Sequence, residues 1–421
     1  MLLAKLTSRF QRGSAARDIA TLTMGTVIAQ GITIAVTPLL TRLYTPSDFG
    51  LLAVFLAVVS VGATLVTLRY ETSILVPKAS TESANLVLLS LMLGACLSLL
   101  LALLGALLPM GLQERVGLGA LGNWLPVAFM TAGATSALAV MQGWMNRQRK
   151  YRHMAWLRVG QSASVAGLAV FLGLLDTSNG LLIAQVCASM CLCLAALWLG
   201  RSAAHLWQKQ QLQATAFAHK NTPKYLLPTA LLDVVTLQLP VVLIAAWFGA
   251  DEAGQFSMAW RLLMMPMAFI GAAVGQVFLQ KFAAIKDDPH QSKILLKKTW
   301  KYLFLMGFFP IGLLTFFGDY LLMFFLGEKW SDSGVMAKIL APMALVMLVS
   351  SPTSGTFIIL GIQKFSPLFG LSSLVYRPFA LVFGYYFGDL FLGLLIWVFF
   401  EAIQIFFYQL VAWKNIKQSH S

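Results

Sequence analysis

RLYTPSDFGLLAVF, residues 42–55, and AWFGADEAGQFSMAW, residues 246–260, share one punctuation. In each, an acidic turn precedes a glycine that opens a long apolar run, and laying Asp48 on Glu252 sets Gly50 on Gly254. Pro38 and Pro240 lie at similar depths in the apolar runs leading into these turns, where each would kink a helix. The pairing reads as an internal repeat. At this register Ala57 stands where the second copy has Arg261, a permanent cation in an otherwise apolar stretch.

Composition supplies the setting for that cation. The 421 residues are 58% hydrophobic and 11% charged, whereas soluble domains carry about 25% charged residues. About twelve apolar runs approach the roughly 20 residues needed to cross a bilayer core, the first near 19–41 and the last near 390–412. The expected fold is an all-α integral membrane protein with about twelve transmembrane helices in two six-helix parallel repeats. Its expected divisions are a cytoplasmic amphipathic segment at 1–17, a bundle at 18–200, a cytoplasmic linker at 201–224, a second bundle at 225–412 and a tail at 413–421. The first apolar run is full length and lacks a small-residue cleavage site, so no cleavable signal is expected.

Charge sets the orientation. The net charge of +14 gathers in alternate loops, in clusters such as Arg147, Arg149, Lys150, Arg152 and Arg158, and again from Lys281 to Lys301. The other loops carry Asp176, Asp251, Glu252, Asp319, Glu328, Asp332 and Asp389, with Arg42, Arg115 and Lys329 as the few basic exceptions. The positive-inside rule then places both termini in the cytoplasm. No basic motif with interleaved aromatics is present, so nucleic acid is not an expected partner. Cys96, Cys187, Cys191 and Cys193 all fall in apolar runs and outline neither a disulfide framework nor a metal site. The longest loops, near 201–224 and 279–300, are too short for a folded catalytic domain, so no enzyme is expected.

The run LYTPSDFGLLAVF, the segment TLRYETSILVPK (67–78), the segment QGWMNRQRKYRHMAWLRVGQS (142–162) and the turn GEKWSDSG (327–334) resemble the Wzx-type polysaccharide biosynthesis transporters. These are lipid-linked oligosaccharide flippases of the multidrug/oligosaccharidyl-lipid/polysaccharide exporter superfamily. The resemblance implies a V-shaped, alternating-access carrier in the bacterial inner membrane. It implies that an undecaprenyl-diphosphate-linked oligosaccharide, such as an O-antigen, common-antigen or exopolysaccharide unit, moves from the cytoplasmic to the periplasmic leaflet. Membrane lipids, a polysaccharide polymerase and a chain-length regulator are the partners it raises. No cofactor is implied beyond coupling to the membrane potential, H⁺ or Na⁺. The alternative is a cation-coupled multidrug exporter of the same superfamily.

A diphosphate headgroup calls for arginine, whose planar fork donates bidentate hydrogen bonds. A cation at a helix centre costs about 2.5 to 3.5 kcal/mol on insertion scales, so each needs a partner or a cavity. Arg377 and Glu401 lie at similar distances from the turn at Gly388 and Asp389. They fit either an ion pair or a cargo-binding arginine with its counter-ion. Arg261 either snorkels outward or lines a cavity. Asp233, between Pro228 and Pro240, is either a protonatable coupling site or a cap for backbone freed by the prolines. Arg69 and Glu71 are an interfacial charged pair or an inner gate; two residues apart on a helix, they would not face one another. Gln30, Gln142, Gln161, Gln238 and Gln404 are polar residues within spans, suited to sugar hydroxyls or to interhelical bonding.

Overall fold

A computed structural model of the chain describes residues 2–115 and 117–416, with the backbone alone at 2–19, 209, 266, 268, 269, 272 and 273. Every side chain of the expected amphipathic segment, and all but the first residues of the tail, lie outside the described residues. The long helices are α1 (Leu2–Leu43), α2 (Pro46–Val66), α3 (Ser80–Leu107), α4 (Trp124–Arg147), α5 (Tyr151–Leu174) and α6 (Gly180–Leu199). After them come α7 (Leu227–Trp247), α8 (Ala250–Ile285), α9 (Pro289–Leu326), α10 (Ser331–Ser350), α11 (Ser366–Phe387) and α12 (Leu390–Asn415). Eleven helices are long and apolar enough to cross a membrane among the described residues. No strand occurs among those residues.

The chain forms two compact units. One takes the chain up to Tyr44 together with Val54–Val234; the other takes Thr45–Ala53 and everything from Val235 onward.

In the first unit, small residues let apolar helices approach closely, which matters where lipid removes any hydrophobic drive between them. A Cβ on Gly25 of α1 would lie 2.6 Å from the Ala155 Cβ of α5, and one on Gly133 of α4 would lie 2.5 Å from the Ser98 Oγ of α3. Arg158 of α5 donates to the Thr26 hydroxyl of α1 at 2.6 Å. The segment after α6 folds as short helical turns against the basic end of the unit. Tyr70 donates to the Ala216 carbonyl at 3.2 Å, Ser73 and Thr222 share a hydrogen bond of 2.7 Å, and His219 meets Glu82 at 2.9 Å. Arg147, at the end of α4, donates to the carbonyls of Pro77 and Lys78 at 2.7 and 3.0 Å. Its fork thereby ties the chain that leaves the turn after α2, a task beyond a mere orientation signal.

In the second unit, the two acidic turns meet at the register of the sequence pairing. A Cβ on Gly50 would fall 1.8 Å from the Ala250 carbonyl oxygen, and one on Gly254 would fall 1.8 Å from the Pro46 carbonyl oxygen. The contact is reciprocal, position for position, so both backbones approach to a distance that only glycine permits. Beside it, the buried Gln255 accepts from the Ser333 backbone N–H at 3.0 Å and donates to the Lys329 carbonyl at 2.8 Å. Gln255 thus pins the GEKWSDSG turn, and the Phe49 ring meets Trp330 edge-on at 5.1 Å.

The expected long loop at 279–300 is overturned. α8 runs to Ile285 and α9 starts at Pro289, leaving only residues 286–288 between them. Asp288 caps α9 by accepting from the N–H groups of Gln291 and His290, and the former most of all holds its carboxyl below the usual range. Proline at the first helical position completes the start signal. Lysines are good helix formers outside the hydrocarbon, so the polar stretch continues the helix rather than ending it. At 38 residues, α9 reaches about 57 Å at the α-helical rise, nearly twice a hydrocarbon core.

Candidate functional site

A proline initiates the polar centre of the second unit. Pro240 has no N–H, so the carbonyl four residues earlier, that of Thr236, loses its helical partner. Arg377 fills the vacancy, its Nη1 donating to the Thr236 oxygen at 3.0 Å. The rest of the guanidinium fork engages Glu401, with Nη2 to Oε1 at 2.8 Å and Nε to Oε2 at 3.1 Å. Both side chains are buried, Arg377 at 8% exposure and Glu401 at 5%. Two charges can be buried at this depth because every nitrogen of the fork and both carboxylate oxygens find a partner.

Glu401 is held further by two neighbours. The Tyr376 hydroxyl donates to its Oε2 at 2.7 Å, and the Trp397 indole N–H donates to the same oxygen at 2.8 Å. Trp397 stands one helical turn before Glu401, so a single face of α12 presents both. Its ring lies under the guanidinium carbon at 5.5 Å, giving a cation–π contact. Trp260 stacks on Trp397 at 5.6 Å, and Phe256 lies 5.9 Å from Trp260. Gln404 accepts from Ser373 and donates to Ser372, so it works between helices. Arg377 and Glu401 therefore meet as a buried pair, and neither is free to hold a ligand until the other lets go.

Arg261, one residue beyond Trp260, lies about 17 Å along α8 from its start. It is exposed and has no ion-pair partner among the described residues. Arg158 in the first unit is comparable, half-buried with a hydroxyl as its partner and no carboxylate within ion-pair distance among the described residues. Sequence reading placed Arg158 among the orientation charges; its depth, about 10 Å into α5, is what sets it apart.

Two expectations are corrected. Arg69 and Glu71 do meet, Nη1 to Oε1 at 3.2 Å. The rule for positions two apart fails because α2 ends at Val66, and Leu68 and Arg69 take positive φ values of 49° and 64° before a 3₁₀ turn at Tyr70–Leu75. The left-handed corner swings one side chain back over the other. The Nε of Arg69, the Oε2 of Glu71 and the Thr67 hydroxyl are buried without a partner among the described residues. Asp233 is exposed and does not cap the backbone freed by Pro240. An ionised carboxylate only accepts hydrogen bonds, so it has nothing to offer a carbonyl. Gln30, Gln142, Gln161 and Gln238 are half-buried and make no hydrogen bond to protein among the described residues. No cluster of His, Cys, Asp and Glu that could hold a metal ion occurs among them either.

A family model described as polysaccharide biosynthesis protein matches residues 39–335. A comparison with curated proteins gives no match. Among solved structures, an inward-facing multidrug resistance transporter of the MATE family and MOP superfamily aligns at 15% identity over 94% of this chain and 96% of its own, with a TM-score of 0.71. The lipid II flippase MurJ in its inward closed conformation aligns at 12% identity over 93% of this chain and 87% of its own, with a TM-score of 0.73. A MOP superfamily transporter from Pyrococcus furiosus aligns at 13% identity over 95% of each chain, with a TM-score of 0.55. At such identities the likeness is one of fold, and the fold is that of multi-pass helical membrane transporters and flippases rather than of enzymes.

Proposed function

The chain belongs to the polysaccharide biosynthesis protein family, and from that premise we propose that it is a flippase moving an undecaprenyl-diphosphate-linked oligosaccharide from the cytoplasmic to the periplasmic leaflet of the inner membrane. The observation that carries the reading is Arg261, accessible, deep in an apolar helix and without a carboxylate to neutralise it among the described residues. A guanidinium kept in that condition suits an anionic cargo, because an arginine already paired would have to surrender its partner first. Gln30, Gln142 and Gln238 keep unused amide groups fit for sugar hydroxyls. Arg377 and Glu401 serve as the fixed polar core of the second unit, and Arg69 with Glu71 as a basic-side gate.

Deleting the gene tests the reading. The expected result is accumulation of one lipid-linked oligosaccharide on the cytoplasmic leaflet; drug hypersensitivity without accumulation would favour a multidrug exporter. Arg261→Ala should insert normally and slow transport by about tenfold or more, the worth of one charge-assisted hydrogen bond. Full activity in that variant would return Arg261 to a snorkelling role.

The driving force follows from the cargo's charge. Two negative charges moving outward across a potential negative inside release about 4.6 kcal/mol per 100 mV, at 2.3 per charge. Vesicles whose potential is collapsed while the pH gradient is kept should lose most transport, and undiminished rates would shift the coupling to H⁺ or Na⁺.

A further inference from the structure

We propose that the lysine-rich end of the second unit holds an acidic glycerophospholipid, one chain in an apolar cavity and its phosphate on a lysine stripe. The cavity, about 620 Å³, lies among α9, α10 and α12, with Lys301, Phe304, Val349, Phe406, Gln409 and Trp413 among its lining residues. Phe304 and Phe406 are 44% and 65% exposed, so the cavity opens toward the hydrocarbon rather than into the unit's core. Its volume is within the range of ligand sites and suits an acyl chain.

Charge complementarity identifies the occupant. Lys293, Lys297 and Lys301 recur every four residues along α9 and so share one face. The ammonium groups of Lys293 and Lys297 sit 5.3 and 5.0 Å from the Trp413 ring, and Lys301 lines the cavity itself. No carboxylate lines it, and none of the three lysines has an ion-pair partner among the described residues. A tryptophan ringed by lysines at the mouth of an apolar slot matches the headgroup level of a bilayer. Basic pockets between spans on the cytoplasmic side are suited to phosphate headgroups.

The same cavity is poorly suited to a sugar. Of its polar lining groups, Gln409 is turned onto the Ser350 and Thr353 hydroxyls, and the Trp300 N–H is also spent on Thr353. The site therefore offers a chain an apolar bed and a phosphate a cationic edge, with nothing for a glycan.

The test uses the purified full chain and phosphatidylglycerol as the probe, read by native mass spectrometry. Phosphatidylglycerol should be retained over phosphatidylcholine by about tenfold, and Lys297→Gln with Lys301→Gln should abolish most of that preference. Val349→Trp, which fills the slot without touching the charges, should lower retention of both lipids. Phosphatidylglycerol brominated on its acyl chain should also quench fluorescence in the unaltered protein, with that component lost in Trp413→Phe. Equal retention of the two lipids, or quenching unchanged by Trp413→Phe, would overturn the proposal. So would displacement of phosphatidylglycerol by equimolar undecaprenyl phosphate, which would assign the slot to a prenyl chain.

Discussion

Glu401→Ala should lower the stability of the purified protein by about 3–5 kcal/mol, the penalty for stripping one partner from a buried ion pair. The substitution would strand the Arg377 guanidinium at 8% exposure and take the acceptor from the Tyr376 hydroxyl and the Trp397 N–H. Thermal unfolding followed by tryptophan fluorescence would read the loss, since Trp397 and Trp260 stack beside the site. Removing both charges together, as Arg377→Met with Glu401→Leu, should cost far less, because most of the single-variant penalty is the uncompensated charge. The Thr236 carbonyl would lose the Arg377 donor, so recovery is expected to fall short by about 1–3 kcal/mol. Transport by the folded double variant then separates the two roles considered for Arg377. Near-normal rates make the pair structural; a folded but inactive protein makes Arg377 a ligand that Glu401 holds in reserve.

Gly254→Ala and Gly50→Ala should each destabilise the protein near the upper end of the roughly 1–3 kcal/mol range for overpacking. In either case the added methyl would lie 1.8 Å from a carbonyl oxygen of the facing backbone. Backbone cannot rotate away as a side chain can, so one turn must shift. The shift would drag on Gln255 and its bonds to Lys329 and Ser333, which hold the adjacent turn. The two variants combined should cost less than their sum, since separating the turns for one methyl makes room for the other. Gly31→Ala is the control, because nothing lies within 4 Å of its added Cβ. There alanine should be neutral or gain up to about 1 kcal/mol from helix propensity. Losses as small as that control in Gly50→Ala and Gly254→Ala would show that the turns are not in such close contact.

Parts of the site were legible before any tertiary information. Equal distances of Arg377 and Glu401 from one turn place two opposite charges at one depth, and helical rise alone supplies that. Trp397 carried a readable signal too, four residues before Glu401 and hence on its face. Pro240 likewise announces an orphan carbonyl at Thr236, although nothing local says which donor will reach it. Tyr376 had no such signal: beside Arg377 in sequence, it converges on the same carboxylate because the Arg377 fork reaches back across the helix pair. The Arg69 and Glu71 contact was missed because periodicity assumes an unbroken helix, and the left-handed corner at Leu68 and Arg69 breaks it.

From the sequence alone came the membrane setting, the helical class, the paired acidic turns and the family. The first three rest on quantities summed or repeated along the chain, hydropathy over about 20 residues and a motif at a fixed register, while the family rests on the resemblance of whole segments. Only the tertiary structure decided which polar groups are spent and which stay free. It committed Arg377, Gln404 and Gln255 to internal partners, tied Arg147 to carbonyls, and left Arg261 without a counter-ion among the described residues. The physical reason is that a charge in an apolar helix must find a partner or water, and which it finds depends on side chains far away in sequence.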